Sequence, residues 1–228
     1  MKQILLTIDD APSKHTITKL TWLKKHTIPA IFFIRGEFAQ KYPEQLRAII
    51  TAGYPVGNHS YSHPNFSKLT LEECSNEIEL TEHLINQAYK ETNLVRPYKI
   101  IRFPFGDRGS RVISSLSNSS VEAQLQTYLA QHGFHHLNPT TSSYIDIGWD
   151  LDPQDYKKKH IQDIELYKKN LAQLLLNYAS KSGTLLLHDF DTNPELFAIT
   201  MNYLCQNKYT FLSPKEFPCP ILPDKNSP

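Results

Sequence analysis

Three cysteines in 228 residues (Cys74, Cys205 and Cys219) are too few for a disulfide framework, and none sits in a Cys-x-x-Cys pair. A thiolate zinc site is therefore not expected, and the sparse count fits a reducing compartment. Charge of one sign is missing too: 24 Lys and Arg stand against 23 Asp and Glu, a net charge of +1. No field of one sign exists to gather nucleic acid or coat a membrane. A neutral or locally polar substrate and no nucleic-acid partner are expected. No run of about 18 apolar residues occurs, so no membrane span is expected. The N-terminus does not read as a secretory leader. Lys2 is followed by Ile4, Leu5, Leu6 and Ile8 and then by Asp9-Asp10, whereas a leader needs roughly 7–15 apolar residues and a cleavage site. The expectation is a cytoplasmic protein, with a secreted or periplasmic one as the alternative if a leader has been removed. No internal repeat is visible, and no oligomeric state is read from the residues.

What is present is a soluble globular composition, 40% apolar and 21% charged, in a chain long enough to bury a core without staples. Short β-rich runs alternate with helical stretches. Strands are expected at Lys2–Ile8, Ala30–Gly36, Pro55–His59, Ile100–Phe103, Phe134–Leu137, Tyr144–Trp149, Thr184–His188 and Tyr209–Leu212. Helices are expected at Thr16–His26, Pro43–Ala52, Leu71–Glu91 behind an N-cap at Thr70, Val121–His132, His160–Ser182 and Glu195–Asn207. Seven or eight β-then-α units predict an α/β fold with a parallel sheet, most economically a single barrel-like domain over residues 1–212, followed by a proline-rich tail over 213–228. Barrel active sites lie at the C-terminal ends of strands. Asp9-Asp10, His59, Arg102, Trp149-Asp150 and His188-Asp189 all fall at such ends.

These residues have usable chemistry. Asp9 and Asp10 are adjacent carboxylates that can divide the tasks of base and metal ligand, though Asp10-Ala11-Pro12-Ser13 also has turn chemistry. His59 and His63 are four apart, a spacing that falls on one face of a helical turn. Two His and one Asp form a three-ligand set with room for water, the open arrangement of a catalytic zinc site. Arg102 could hold a carboxylate through bidentate hydrogen bonds, or make an ordinary structural ion pair. His188, delivered by an apolar strand, could be a general acid or a satisfied core histidine. Asp152 and Asp155 could raise its pKa. The remaining histidines, His160 among them, have no matched partner in the sequence, and a second site at His135-His136 is not expected.

Taken together the segments resemble the polysaccharide deacetylases, known as the NodB-homology fold or carbohydrate esterase family four. The resemblance runs in order from about Lys2 to Leu212. T-I-D-D-A-P at Thr7 to Pro12 is similar to the family's first motif, and A-I-F-F-I-R-G to its second strand. G-Y-P-V-G-N-H-S-Y-S-H is similar to its metal-binding segment. R-F-P-F-G, W-D-L-D-P-Q-D-Y and L-L-L-H-D match its third, fourth and fifth motifs. The resemblance implies a distorted (β/α) barrel and a metal-dependent hydrolase that removes N-acetyl groups from an acetylated amino-sugar polymer, releasing acetate. It implies Asp9 as base, Asp10, His59 and His63 as ligands of one divalent metal, most simply zinc with cobalt or nickel also accepted, and Arg102 as the group orienting Asp9. It further implies Asp155 supporting His188 as acid, with Phe105, Trp149, Tyr156 and Leu186 at the acetylated carbohydrate. Ala11 stands where the family has glycine, so the backbone there must avoid glycine-only conformations. Tyr156 stands where it has tryptophan, which bears on the substrate. The alternatives are hydrolysis of a small cyclic amide, formamide or O-acetyl ester on the same scaffold, or an inactive carbohydrate-binding protein.

Overall fold

A computed structural model describes residues 3–110, 121–136, 144–157, 160, 162–177, 183–190 and 193–214. Most of the expected tail, residues 215–228, and the ends of two expected elements, Leu137 and Ser182, lie outside these. Five strands are seen among the described residues: β1 (Gln3–Ala11), β2 (Ile31–Ile34), β3 (Val56–Asn58), β4 (Gly183–His188) and β5 (Thr210–Phe211). The helices are α1 (Thr16–Lys25), α2 (Gly36–Lys41), α3 (Pro43–Thr51), α4 (Leu71–Thr92), α5 (Val121–Gln131), α6 (Ile164–Asn177) and α7 (Pro194–Gln206).

All strand pairs are parallel, in the order β3-β2-β1-β4, with β5 joined to the start of β1. Beyond these the ring is carried by single contacts. Ile101 bridges Asn58 at the end of β3, and Leu151 bridges Leu185 on β4. Between them, the Ile147 N–H donates to the Ile101 carbonyl (3.0 Å) and the Leu151 N–H to that of Thr184 (3.1 Å). Residues 147–151 thus span from the third strand's neighbour back to β4 and close a distorted barrel.

The expected α/β class with a parallel sheet is therefore present, with fewer regular strands than the pattern predicted. Ile100–Phe103 and Tyr144–Trp149 contribute bridging contacts rather than ladders, and residues 134–136 form no strand. The helix expected from His160 is interrupted at Asp163: His160 and Gln162 are helical, and α6 begins at Ile164, where the Asp163 carboxylate accepts the Leu166 N–H (2.8 Å). A further helix, α2, starts at Gly36, in the last residue of the expected second strand.

The sheet is apolar on both faces, as a covered parallel sheet must be. On β1, Ile4, Leu6 and Ile8 join the core beneath the helices, with Leu185 and Leu187 from β4. Leu5 points the other way, into a barrel interior shared with Ile31, Phe33, Tyr98, Ile100 and Ile147. By alternation Thr7 and Asp9 follow Leu5 inward. The register sets Asp9 opposite His188 and Ile34 opposite Asn58, so the polar residues emerge together at one end of the barrel.

Two local signals act as expected. Thr70 and Glu73 form a reciprocal capping box at the start of α4, and Pro43 opens α3 while Gly53, at φ 84°, follows its end. Gly57 lies where the interior is tightest: an added Cβ would stand 2.6 Å from the Phe33 ring and 3.0 Å from Ile100. Gly57→Ala should cost about 1–3 kcal/mol by overpacking. The check is the urea midpoint, and an unchanged midpoint would mean that the interior is looser than described.

Candidate active site

The site begins with Arg102. Its side chain is 1% exposed and reaches across the barrel. Nη1 donates to Thr7 Oγ1 (2.7 Å) and to Asp9 Oδ1 (2.8 Å), Nε to the Ile147 carbonyl (2.7 Å), and Nη2 to the Gly148 carbonyl (2.8 Å). The guanidinium lies 4.5 Å from the Phe33 ring centroid and 5.7 Å from that of Trp149. The bidentate grip on a carboxylate expected from sequence is not what forms. One hydrogen bond goes to Asp9, and the rest of the fork is spent on the closing segment and Thr7.

Asp9 is buried, which by itself raises a carboxyl pKa. The charges of Arg102, His59 and His188, with the Arg102 hydrogen bond, outweigh that and hold it below the ordinary value. Its Oδ2 is turned toward His59, 3.5 Å from Nε2.

Asp10 faces the same nitrogen, with Oδ1 at 4.0 Å from His59 Nε2 and 3.6 Å from His63 Nε2. Neighbours on a regular strand would point apart. Here the β1–β2 register shifts between Ile8 and Ala11, and Asp10 takes a left-handed φ of 53°, so both carboxylates serve one side. Ala11, in the glycine position, is spared that conformation. Asp10 Oδ1 is buried and takes no hydrogen bond among the described residues.

His59 and His63 converge through an irregular turn, not the helical turn that their spacing suggested. Ser60 (φ 61°) and His63 (φ 63°) are both left-handed, and the two rings meet edge-on with centroids 4.9 Å apart. The Arg102 carbonyl can only accept, so its 2.7 Å contact places a proton on His59 Nδ1 and turns Nε2 toward Asp10. Burial, together with His59, outweighs the Asp10 charge and lowers the His63 pKa to about 4, so that imidazole is neutral. Asp10, His59 and His63 offer ligand atoms all within 4.8 Å of one another, the only such group found among the described residues. An unpaired buried carboxylate oxygen beside two imidazole nitrogens is a donor set that suits a divalent cation. Among the described residues no comparable cluster forms at His135-His136.

Across from this cluster, His188 donates from Nδ1 to Asp155 Oδ1 (2.8 Å) and from its backbone N–H to Oδ2 (3.0 Å). Burial disfavours the imidazolium, but Asp155, with Asp9 and Asp10, more than compensates, and the pKa is pushed up to about 9. Asp152 is a lesser contributor; burial raises its own pKa.

Several supports were not foreseen. His160 is buried, with Nδ1 on the Gln154 carbonyl (2.8 Å) and Nε2 on Asn170 (3.1 Å); it steadies the left-handed Gln154 (φ 56°) beside Asp155. Lys19 and Asp189, both fully buried, form an ion pair at 3.0 Å, and Lys19 also donates to the His188 carbonyl (3.0 Å). Asn58 donates to Glu82 (3.0 Å), which pairs with Arg96. Charged residues at unremarkable sequence positions gave no signal of this; their burial supplies it.

Of the four residues expected at the substrate, three rim the site. Phe105, 65% exposed at φ 57°, has its ring 4.6 Å from that of His63. Tyr156, 41% exposed, lies 4.6 Å from the His188 ring. Trp149 packs against Gly106, where a Cβ would come within 3.2 Å. Leu186 differs: it is buried beneath His188 on the same face of β4 and offers no open surface.

The sequence profile of the family described as polysaccharide deacetylase matches residues 1–124. A peptidoglycan-N-acetylmuramic acid deacetylase of Bacillus subtilis is 31% identical over 82% of this chain and 32% of its own length. A chitooligosaccharide deacetylase of Sinorhizobium fredii is 24% identical over 82% of this chain and 71% of its own. This chain thus spans about a third of the first relative and about 70% of the second. The solved structure of the peptidoglycan deacetylase PdaC from Bacillus subtilis superposes with a TM-score of 0.65 at 26% identity, covering 95% of this chain and 89% of that one.

In metal-free protein, histidine NMR titrations should place His188 near 9 and His63 near 4. Asp155→Asn removes the main charge that raises His188 and leaves the burial, so the His188 midpoint should move down. An unmoved midpoint would show that Asp155 is not its cause.

Proposed function

The chain belongs to the polysaccharide deacetylase family, and from that premise we propose that it hydrolyses the N-acetyl group of an acetylated amino-sugar polymer or oligomer, with a divalent metal held by Asp10, His59 and His63. The observation that carries this reading is the three-ligand cluster flanked by two oppositely prepared groups, a carboxylate kept ionised by Arg102 and an imidazole kept protonated by Asp155. A bound divalent ion, zinc by default and cobalt or nickel by chemistry, would supply Lewis acidity for water activation and for charge developing on the carbonyl oxygen.

In this mechanism Asp9 accepts the proton of the attacking water at Oδ2, the oxygen not held by Arg102. Its depressed pKa keeps it ready as a base across neutral pH. The water oxygen bonds to the acetyl carbon, and the C–N bond then breaks. An amine leaves poorly until it is protonated, so the proton on His188 Nε2 passes to the departing nitrogen. Acetate and a free amino sugar result. Two groups whose environments drive their pKa values apart are the expected signature of such an acid–base division.

The rim favours a polymer or oligomer over a small molecule. Among the described residues, Phe105 and Tyr156 stand exposed beside the metal cluster and the acid, an open margin on which sugar faces can stack. A cell-wall substrate would place the reaction outside the cytoplasmic membrane, the second of the two compartments considered above. Among the described residues no helix is long and apolar enough to cross a membrane.

Acetate release should be measured on peptidoglycan fragments and on N-acetylglucosamine oligomers. A chelator should abolish it and added zinc restore it; turnover that ignores the chelator contradicts the metal assignment. His188→Ala should lose about 10²–10⁴-fold in kcat, and a fully active variant would remove His188 from the mechanism. Because His188 must carry its proton, the rate should fall as pH rises through about 9. In Asp155→Asn that falling limb should move to lower pH, and an unshifted limb would assign it to another group.

A further inference from the structure

The turn that carries His63 is strained. Ser60 and His63 both hold left-handed φ values, 61° and 63°, and for residues other than glycine such conformations persist only where the surroundings over-determine them. Most polar groups of the turn are tied to β3, to Arg35 and α2, or to the turn itself. Asn58 Oδ1 accepts the Ser60 N–H (2.8 Å), and Ser60 Oγ accepts that of His63 (3.2 Å). The carbonyls of Ser60 and Tyr61 accept from the N–H groups of Gly36 (2.9 Å) and Glu37 (3.1 Å). The Ser62 carbonyl accepts from Arg35 Nη2 (3.2 Å).

The N–H groups of Tyr61 and Ser62 go elsewhere. Both donate to one atom, Glu77 Oε2 on α4, at 2.9 and 2.7 Å, and the Ser62 hydroxyl donates to Glu77 Oε1 at 2.8 Å. Glu77 thus gathers three hydrogen bonds from two consecutive residues, charge-assisted because the acceptor is a carboxylate. It closes the side of the turn that faces α4, immediately before His63. Gly36 lets the turn sit this close to the start of α2: a Cβ there would come 2.5 Å from the Tyr61 ring.

We propose that Glu77 is a positioning residue for the metal centre: by clamping Tyr61 and Ser62 it holds His63 with Nε2 toward Asp10, and so sets the affinity for the divalent ion. This rests on the reading of Asp10, His59 and His63 as ligands. Glu77 is not one of the three candidate ligands and acts through the backbone of the turn. The role depends on hydrogen-bond geometry and not on net charge. A glutamine can make the same three contacts, its amide oxygen accepting both N–H groups and its NH2 donating to Ser62 Oγ. An alanine can make none.

The test is the zinc dissociation constant of the metal-stripped full chain, read by competition with a chromophoric chelator. Glu77→Ala should bind zinc about 10–100-fold more weakly, the usual effect of losing a group that orients a ligand. Its metal-free melting temperature should stay close to that of the parent. Glu77→Gln should bind within a few-fold of the parent. Parent-like binding by Glu77→Ala overturns the proposal, as does a Glu77→Gln loss equal to that of alanine. His63→Ala separates the two readings. If the parent binds no zinc, or His63→Ala binds as the parent does, the metal assignment itself is wrong, whatever Glu77 does.

Discussion

A buried guanidinium holds this molecule's working end together. Arg102 sits inside the barrel with almost no exposure, a costly placement for a charge unless it is paired and its N–H groups are engaged. Its side chain joins Thr7 and Asp9 of β1 to the carbonyls of residues 147 and 148 and rests on the Phe33 ring of β2. Its backbone N–H reaches the Asn58 carbonyl at 2.9 Å, and its own carbonyl orients His59. The barrel's irregular closure, the ionisation of the candidate base and the aim of a candidate metal ligand therefore hang on one residue. Breaking such a buried pair by removing one partner costs about 3–5 kcal/mol, so the fold and the chemistry at this residue are not separable.

Strain gathers around that anchor. Asp10, Ser60, His63, Phe105 and Gln154 all carry positive φ, and each is a site residue or sits next to one. The strain has a geometric use. It turns Asp10 to the side of Asp9, bends the His59–His63 segment back on itself, presents Phe105 outward and swings Asp155 under His188. The supporting shell is correspondingly polar and buried. Lys19 with Asp189 ties the end of β4 to α1, while Asn58 with Glu82 and Arg96 and His160 with Asn170 fasten strained turns to helices. Sites held by such packed and hydrogen-bonded supports keep their geometry without reorganisation during reaction.

Much of this was legible beforehand because it follows from local rules. Apolar runs ending in polar residues gave the strands that carry Asp9, His59 and His188, and parallel pairing brings their ends together. Capping at Thr70 and the Pro43 and Gly53 boundaries marked their helices. What sequence periodicity missed depends on three-dimensional accommodation. Ile100–Phe103 and Tyr144–Trp149 have strand-like composition, yet Arg102 takes the carbonyls of Ile147 and Gly148, and little regular ladder forms there. The four-residue spacing of His59 and His63 suggested a helical turn because periodicity cannot foresee two left-handed residues. His160 looked unpartnered because its partners, Gln154 and Asn170, are ordinary residues whose contact depends on how the chain folds back. Leu186 was expected at the substrate from its place in a motif, but alternation along β4 puts it beneath His188.

The central claim is a division of labour between adjacent carboxylates: Asp10 binds metal with His59 and His63, while Asp9, held by Arg102, is kept for the proton. A crystal of the protein grown with zinc, with data collected at the zinc absorption edge, tests it most directly. The account predicts one anomalous peak bonded by an Asp10 oxygen and by Nε2 of His59 and His63, at zinc–nitrogen distances of about 2.0–2.1 Å, with Asp9 still on Arg102. A peak bonded by Asp9 in place of Asp10, or no peak among these three residues, would contradict it.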